Sequence, residues 1–123
     1  MKIALAVWKN RVSPVFDSTR VVIIVDIENG IVNDKCYVHI QAHMPHNRAV
    51  ELVELGVNVL ICGAISRVYE DMIKMQGIKV IPFIAGDVNQ VIESYLKGKL
   101  NNRNFRMPGC GNKCRKRFRG EGR

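Results

Sequence analysis

The chain has 123 residues, is 47% hydrophobic and 24% charged, and carries a formal net charge of +8. That length and apolar content support one domain with a real core and exclude a disordered chain, and no apolar run approaches the ~20 residues that a membrane-spanning helix needs. The charge is unevenly placed: residues 1–96 hold nine Lys/Arg against ten Asp/Glu, net −1, while residues 97–123 hold ten against one, net +9.

Lys2 to Trp8 is apolar with little alternation, as expected of a strand buried on both faces. It is too short for a signal peptide and lacks a cleavage site. A cytoplasmic location is therefore expected, and with it four cysteines kept as thiols or metal ligands. Lys9 opens a loop that runs through Ser13, Pro14, Val15, Phe16 and Asp17. Arg20 to Ile27 is a second strand, Asn29-Gly30 is a hairpin signal, and Ile31 to Ile40 returns as the third strand.

From Asn47 the apolar spacing becomes helical, with Ala49, Leu52, Val53 and Gly56 on one stripe. Val57 to Cys62 is a fourth strand. Ser66 caps a second helix with Val68, Met72 and Met75 expected to face inward, and Gly77 ends it. Ile78 to Phe83 is a fifth strand. Asp87 and Gln90 resemble a capping box for a third helix, whose apolar face is Val88, Val91, Ile92 and Tyr95. After Leu100 the apolar periodicity ends. Residues 1–100 thus read as one α/β domain, and residues 101–123 as a flexible basic tail containing Cys110 and Cys114.

The order β-β-β-α-β-α-β-α implies three layers: a mixed five-stranded sheet between helices, with the first hairpin antiparallel and the remaining strands parallel. Right-handed crossovers would put strands one, four and five side by side, with the hairpin on the other edge. The carboxyl ends of strands one and four would then adjoin, bringing the Ser13–Asp17 loop beside Cys62 and Gly63. Ligands in open α/β sheets bind beyond such strand ends.

Several residues could carry chemistry there. Cys62 would face the crevice, with Gly63 leaving backbone room for a bulky ligand and a nearby helix start favouring a thiolate. Against this stands the ordinary role of cysteine as a small buried hydrophobe. Cys110 and Cys114 form one C-x3-C pair, a weak zinc signal without a second pair, though soft thiolates also suit iron–sulfur and copper. His39, His43 and His46 follow Cys36, but Cys36 and His39 lie an odd number apart and should point to opposite faces of a strand. The first strand holds no carboxylate, which argues against magnesium-dependent nuclease chemistry. No P-loop, dinucleotide fingerprint or nucleophile elbow is present.

Taken in order, several segments resemble the dinitrogenase iron-molybdenum cofactor-binding proteins, which include NifX, NafY and the carboxyl-terminal part of NifB. They are Met1-Lys2-Ile3-Ala4, Val12-Ser13-Pro14-Val15-Phe16, Glu54-Leu55-Gly56-Val57 through Cys62-Gly63-Ala64-Ile65-Ser66, Gly77-Ile78-Lys79-Val80-Ile81-Pro82, Gly86-Asp87-Val88 and Tyr95 to Leu100. The resemblance implies a ribonuclease-H-like layout and a non-catalytic carrier of an anionic metal–sulfur cluster of the Mo/Fe/S or Mo/Cu/S type. Ser13, Pro14, Phe16, Gly63 and Ala64 would shape its pocket, with Cys62, Cys110 and Cys114 as metal ligands. Cluster donor and acceptor proteins would be its partners. Many relatives read Ser-x-His-Phe-Gly in the first loop; here Val15 and Asp17 replace the histidine and glycine, so a histidine ligand does not carry over.

Two rivals remain on the residues alone. A nucleic-acid or acidic-partner module would act through the basic tail, although only Phe105 and Phe118 are there for base stacking. A thiol redox protein would be expected to show C-x-x-C, which is absent.

Overall fold

The computed structural model describes residues 1–98 and Leu100. The strands are β1 (Lys2–Trp8), β2 (Arg11–Val12), β3 (Val21–Glu28), β4 (Ile31–His39), β5 (Val59–Ile61) and β6 (Lys79–Ile81). The helices are α1 (Pro45–Glu54), α2 (Arg67–Met75) and α3 (Val88–Leu96). The sheet runs β4-β3-β1-β5-β6, with the short β2 paired to β1. β5 and β6 are parallel to β1, while β3 and β4 form the antiparallel wing. The mixed α/β arrangement and the adjacency of the parallel strands are as the element order implies. Among the described residues the sheet has six strands rather than five.

The additional strand comes from a tight turn without glycine. Lys9 and Asn10 both take positive φ, 53° and 65°, so Trp8 pairs with Arg11 across a two-residue hairpin. Asn29 and Gly30 repeat that geometry between β3 and β4. Primed turns of this kind match the twist of the strands they join.

Alternation along the central strands divides the core in two. Ile3, Leu5, Ile23, Val25 and Ile61 face α3, where Val88, Val91 and Ile92 meet them, as the capping-box helix predicts. Ala4, Ala6, Val22, Ile24, Leu60 and Cys62 face the other way, toward Ala49 and Leu52 of α1 and Ile73 of α2.

The helix phases differ from the sequence reading in two places. In α2, Ile73 is fully buried with Tyr69 and Met72 beside it, while Met75 is 77% exposed and Val68 is also exposed. The inward stripe is 69-72-73, not 68-72-75: Tyr69 covers core area and keeps its hydroxyl for the His43 carbonyl at 2.7 Å. In α1, Val53 is exposed and Arg48 occupies the inward position. The β6 strand ends before Phe83 because Phe83 takes a left-handed φ of 62°.

Candidate functional site

Three loops meet at the carboxyl ends of β1, β5 and β6. Backbone hydrogen bonds join them as if the sheet continued. Ser13 donates to Ala6 O at 2.8 Å, Ala64 donates to Pro14 O at 2.8 Å, and Phe16 donates to Ala64 O at 2.7 Å. Phe83 donates to Gly63 O at 2.9 Å, and Val12 donates to Gly86 O at 2.9 Å. The predicted approach of the Ser13–Asp17 loop to Cys62 and Gly63 is therefore present.

The interior of that junction is filled, which corrects several expectations. A Cβ on Gly63 would meet the backbone carbonyls of Ser13 and Pro14, the latter at 2.5 Å. The room beside Gly63 is taken by the first loop rather than by a ligand. Cys62 is fully buried among aliphatic side chains. Burial is the main cause that pushes its thiol far above the ordinary value, with the carboxylates of Glu70 and Asp17 adding to the rise. This is the reverse of an activated thiolate, so Cys62 is not presented to a crevice. Phe16 is likewise fully buried and belongs to the core.

Phe16 is held by a residue that pattern reading overlooks. Arg48 is only 2% exposed, yet it reaches from α1 to donate Nη1 to the Phe16 carbonyl at 2.8 Å. Its Nε donates to Ala42 O at 3.3 Å, and its guanidinium lies 5.2 Å from the Phe16 ring and 5.6 Å from the Tyr69 ring. Burial lowers its pKa, an effect opposed by Tyr69, Glu51 and Asp17. Asp17 accepts from Ser66 N at 3.0 Å, so its negative charge sits at the amino terminus of α2, where the helix dipole favours it.

What stays open lies on the other flank of the first loop. A crevice of about 500 Å³ is lined by Trp8, Ser13, Pro14, Val15, Thr19 and Arg20, among others. Trp8 is 56% exposed, and Val15 and Pro14 are exposed beside it. The Lys9 ammonium lies 4.6 Å from the Trp8 ring centroid, and Arg11 is the cross-strand partner of Trp8. Ser13 and Thr19 are buried at its floor; their hydroxyls lie 2.9 Å apart, and Thr19 Oγ1 is 2.8 Å from Val15 O. The sequence reading named Ser13 and Pro14 but missed Trp8 and Arg20. A lone tryptophan closing an otherwise aliphatic strand was the available signal.

The other candidates do not assemble. Cys36 pairs with Ile24 and His39 with Val21, so the two face opposite sides as their spacing requires. Both are exposed, as are His43 and His46. Among the described residues no three His, Cys, Asp or Glu side chains converge as metal ligands. Cys110 and Cys114 lie outside the described residues, as does the 101–123 tail. No helix among the described residues is long and apolar enough to cross a membrane.

The family model described as dinitrogenase iron-molybdenum cofactor matches residues 1–98. The chain belongs to this family. An uncharacterised protein of Methanocaldococcus jannaschii, MJ0580, is 32% identical over 105 residues, spanning 81% of this chain and 89% of the relative. The crystal structure of PH0822 superposes with a TM-score of 0.76 at 23% identity, covering 80% of this chain and 93% of that one. The apo form of the orange protein from Desulfovibrio gigas superposes with a TM-score of 0.66 at 23% identity, covering 80% and 88%. At these identities the two superpositions establish a shared fold.

Proposed function

We propose that this protein is a non-catalytic carrier for an anionic metal–sulfur cluster of the Mo/Fe/S or Mo/Cu/S type, received from and passed to other cluster-handling proteins. Family membership supports the cofactor theme. The observation that carries the site is the crevice beside Trp8, with apolar walls and the cations Arg20, Lys9 and Arg11 at or near its rim. Sulfide-rich clusters are large, polarisable and negatively charged. They gain dispersion contact from Trp8, Pro14 and Val15 and charge compensation from the rim. Among the described residues no cysteine or histidine lines this crevice. Thiolate ligation therefore falls to Cys110 and Cys114 in this reading, and Cys62 becomes a packing residue.

The test is anaerobic reconstitution of the full chain with tetrathiomolybdate and cuprous ion, or with ferrous iron and sulfide, followed by gel filtration and visible spectroscopy. A coloured protein whose colour weakens in Arg20→Gln and Trp8→Ala, and persists in Cys62→Ala, is expected. A colourless wild-type protein overturns the carrier reading. Colour lost only in Cys62→Ala overturns the placement of the site. The nucleic-acid alternative gains no support from the family or from the structural neighbours.

A further inference from the structure

β4 forms one end of the described sheet, and the directions of its backbone groups can be derived. Ile40 donates its N–H to Arg20 O across the wing, and the register places Val38, Cys36 and Asp34 opposite Val22, Ile24 and Asp26 in the same phase. Antiparallel ladders alternate, so these even-numbered residues turn their N–H and C=O groups toward β3. Lys35, Tyr37 and His39 turn theirs outward, away from the sheet. Seven of the nine β4 residues are exposed, Tyr37 at 64%, while Val32 and Val38 pack against the two sides of the core and Lys35 Nζ donates to Asn89 Oδ1 of α3 at 3.3 Å.

We infer that β4 pairs antiparallel with β4 of a second copy of this chain, about a two-fold axis at Cys36. Two conditions select that register. Residues directly opposite each other must both turn outward or both inward, so their numbers sum to an even value. Near the middle of the strand the axis then falls at Lys35, Cys36 or Tyr37. An axis at Lys35 opposes Lys35 to its own copy, and an axis at Tyr37 opposes Lys35 to His39; both set basic groups against each other. The axis at Cys36 opposes Lys35 to Tyr37 twice, in the two hydrogen-bonded pairs. That sets each Lys35 opposite an exposed aromatic residue rather than another basic group, and sets Asp34 against Val38. A long, largely exposed edge strand otherwise invites unregistered association, and this pairing closes it. The irregularity in the wing beyond Asp26 limits the pairing to the straight part of β4.

In this register the two Cys36 residues occupy a non-hydrogen-bonded pair, where Cα atoms stand about 4.5 Å apart, within reach of a disulfide. The test uses the full chain with Cys110→Ser and Cys114→Ser, so that Cys36 is the exposed thiol among the remaining cysteines. Light scattering under reducing conditions should give the mass of two chains. Diamide, which takes up the two thiol hydrogens as it is reduced to the hydrazine, should then join two chains through a Cys36–Cys36 bond that Cys36→Ser abolishes. Tyr37→Pro removes one outward N–H without touching the β3 ladder and should return the mass of one chain, with the circular dichroism of the fold retained. A monomer mass for the parent chain, a dimer indifferent to Tyr37→Pro, or cross-linking indifferent to Cys36→Ser each overturns the inference.

Discussion

The carbonyl of Pro14 would stand 2.5 Å from a Cβ on Gly63, and the carbonyl of Ser13 would crowd it as well. Glycine at 63 therefore closes the fold rather than opening a pocket. Both neighbours are backbone, fixed by the hydrogen bonds that tie the first loop to β1 and to Ala64. Gly63→Ala should cost at least about 2 kcal/mol, at the upper part of the usual overpacking range because no side chain can move aside. The urea midpoint should fall with little change in slope.

Arg48 offers a second measure of how the first loop is held. Removing it leaves the Phe16 carbonyl, and to a smaller degree that of Ala42, without their donors. Arg48→Met should destabilise by about 1–3 kcal/mol, since the apolar replacement spares the cost of burying a charge but strands a buried acceptor. Arg48→Lys should recover little, because one ammonium cannot reproduce the planar fork that addresses both carbonyls. Chemical denaturation of both variants checks this.

Cys62 predicts a pH dependence. Its folded thiol is raised above the ordinary value of about 9 by burial, helped by Glu70 and Asp17. Below that value both folded and unfolded chains hold the proton, and the group contributes no slope. Above it the unfolded chain releases the proton while the folded chain keeps it, so stability falls by up to about 1.4 kcal/mol per pH unit. Cys62→Ala should show a shallower alkaline decline than wild type. Ellman's reagent should label Cys62 only after denaturant is added.

At the crevice, Trp8 is both wall and reporter. Cluster loading should quench its fluorescence, as it is the chain's only tryptophan. Arg20→Gln should weaken loading about fivefold, since an exposed charge contact is worth up to about 1 kcal/mol. Raising the salt concentration should weaken the wild type in the same direction. Quenching that survives high salt and Arg20→Gln unchanged would show that charge does not hold the cluster.

The fold was largely readable because its signals are local. Asn29-Gly30 announced the hairpin, Ser66 and Asp87 do cap their helices, and Gly56 and Gly77 take the positive φ that ends a helix. β2 escaped notice because Lys9-Asn10 makes a primed turn without glycine. The phase of α2 escaped because Tyr69 outcompetes two exposed apolar residues for the core. The site was less legible. Strand order correctly brought Cys62 to the junction of three loops, but whether a junction is vacant depends on packing between distant segments. A close backbone approach such as Ser13 to Gly63 leaves no periodic trace, and neither does an arginine reaching across from another helix.

β1 sits between β3, antiparallel to it and close in sequence, and β5, parallel to it and far later in the chain. During synthesis the first strand can therefore gain the antiparallel wing early, but its other edge stays bare until about sixty residues have left the ribosome. Assembly should then be governed by that late capture, giving slow folding for so small a body. A nascent chain paused before Val59 would present an apolar ribbon of the kind chaperones recognise.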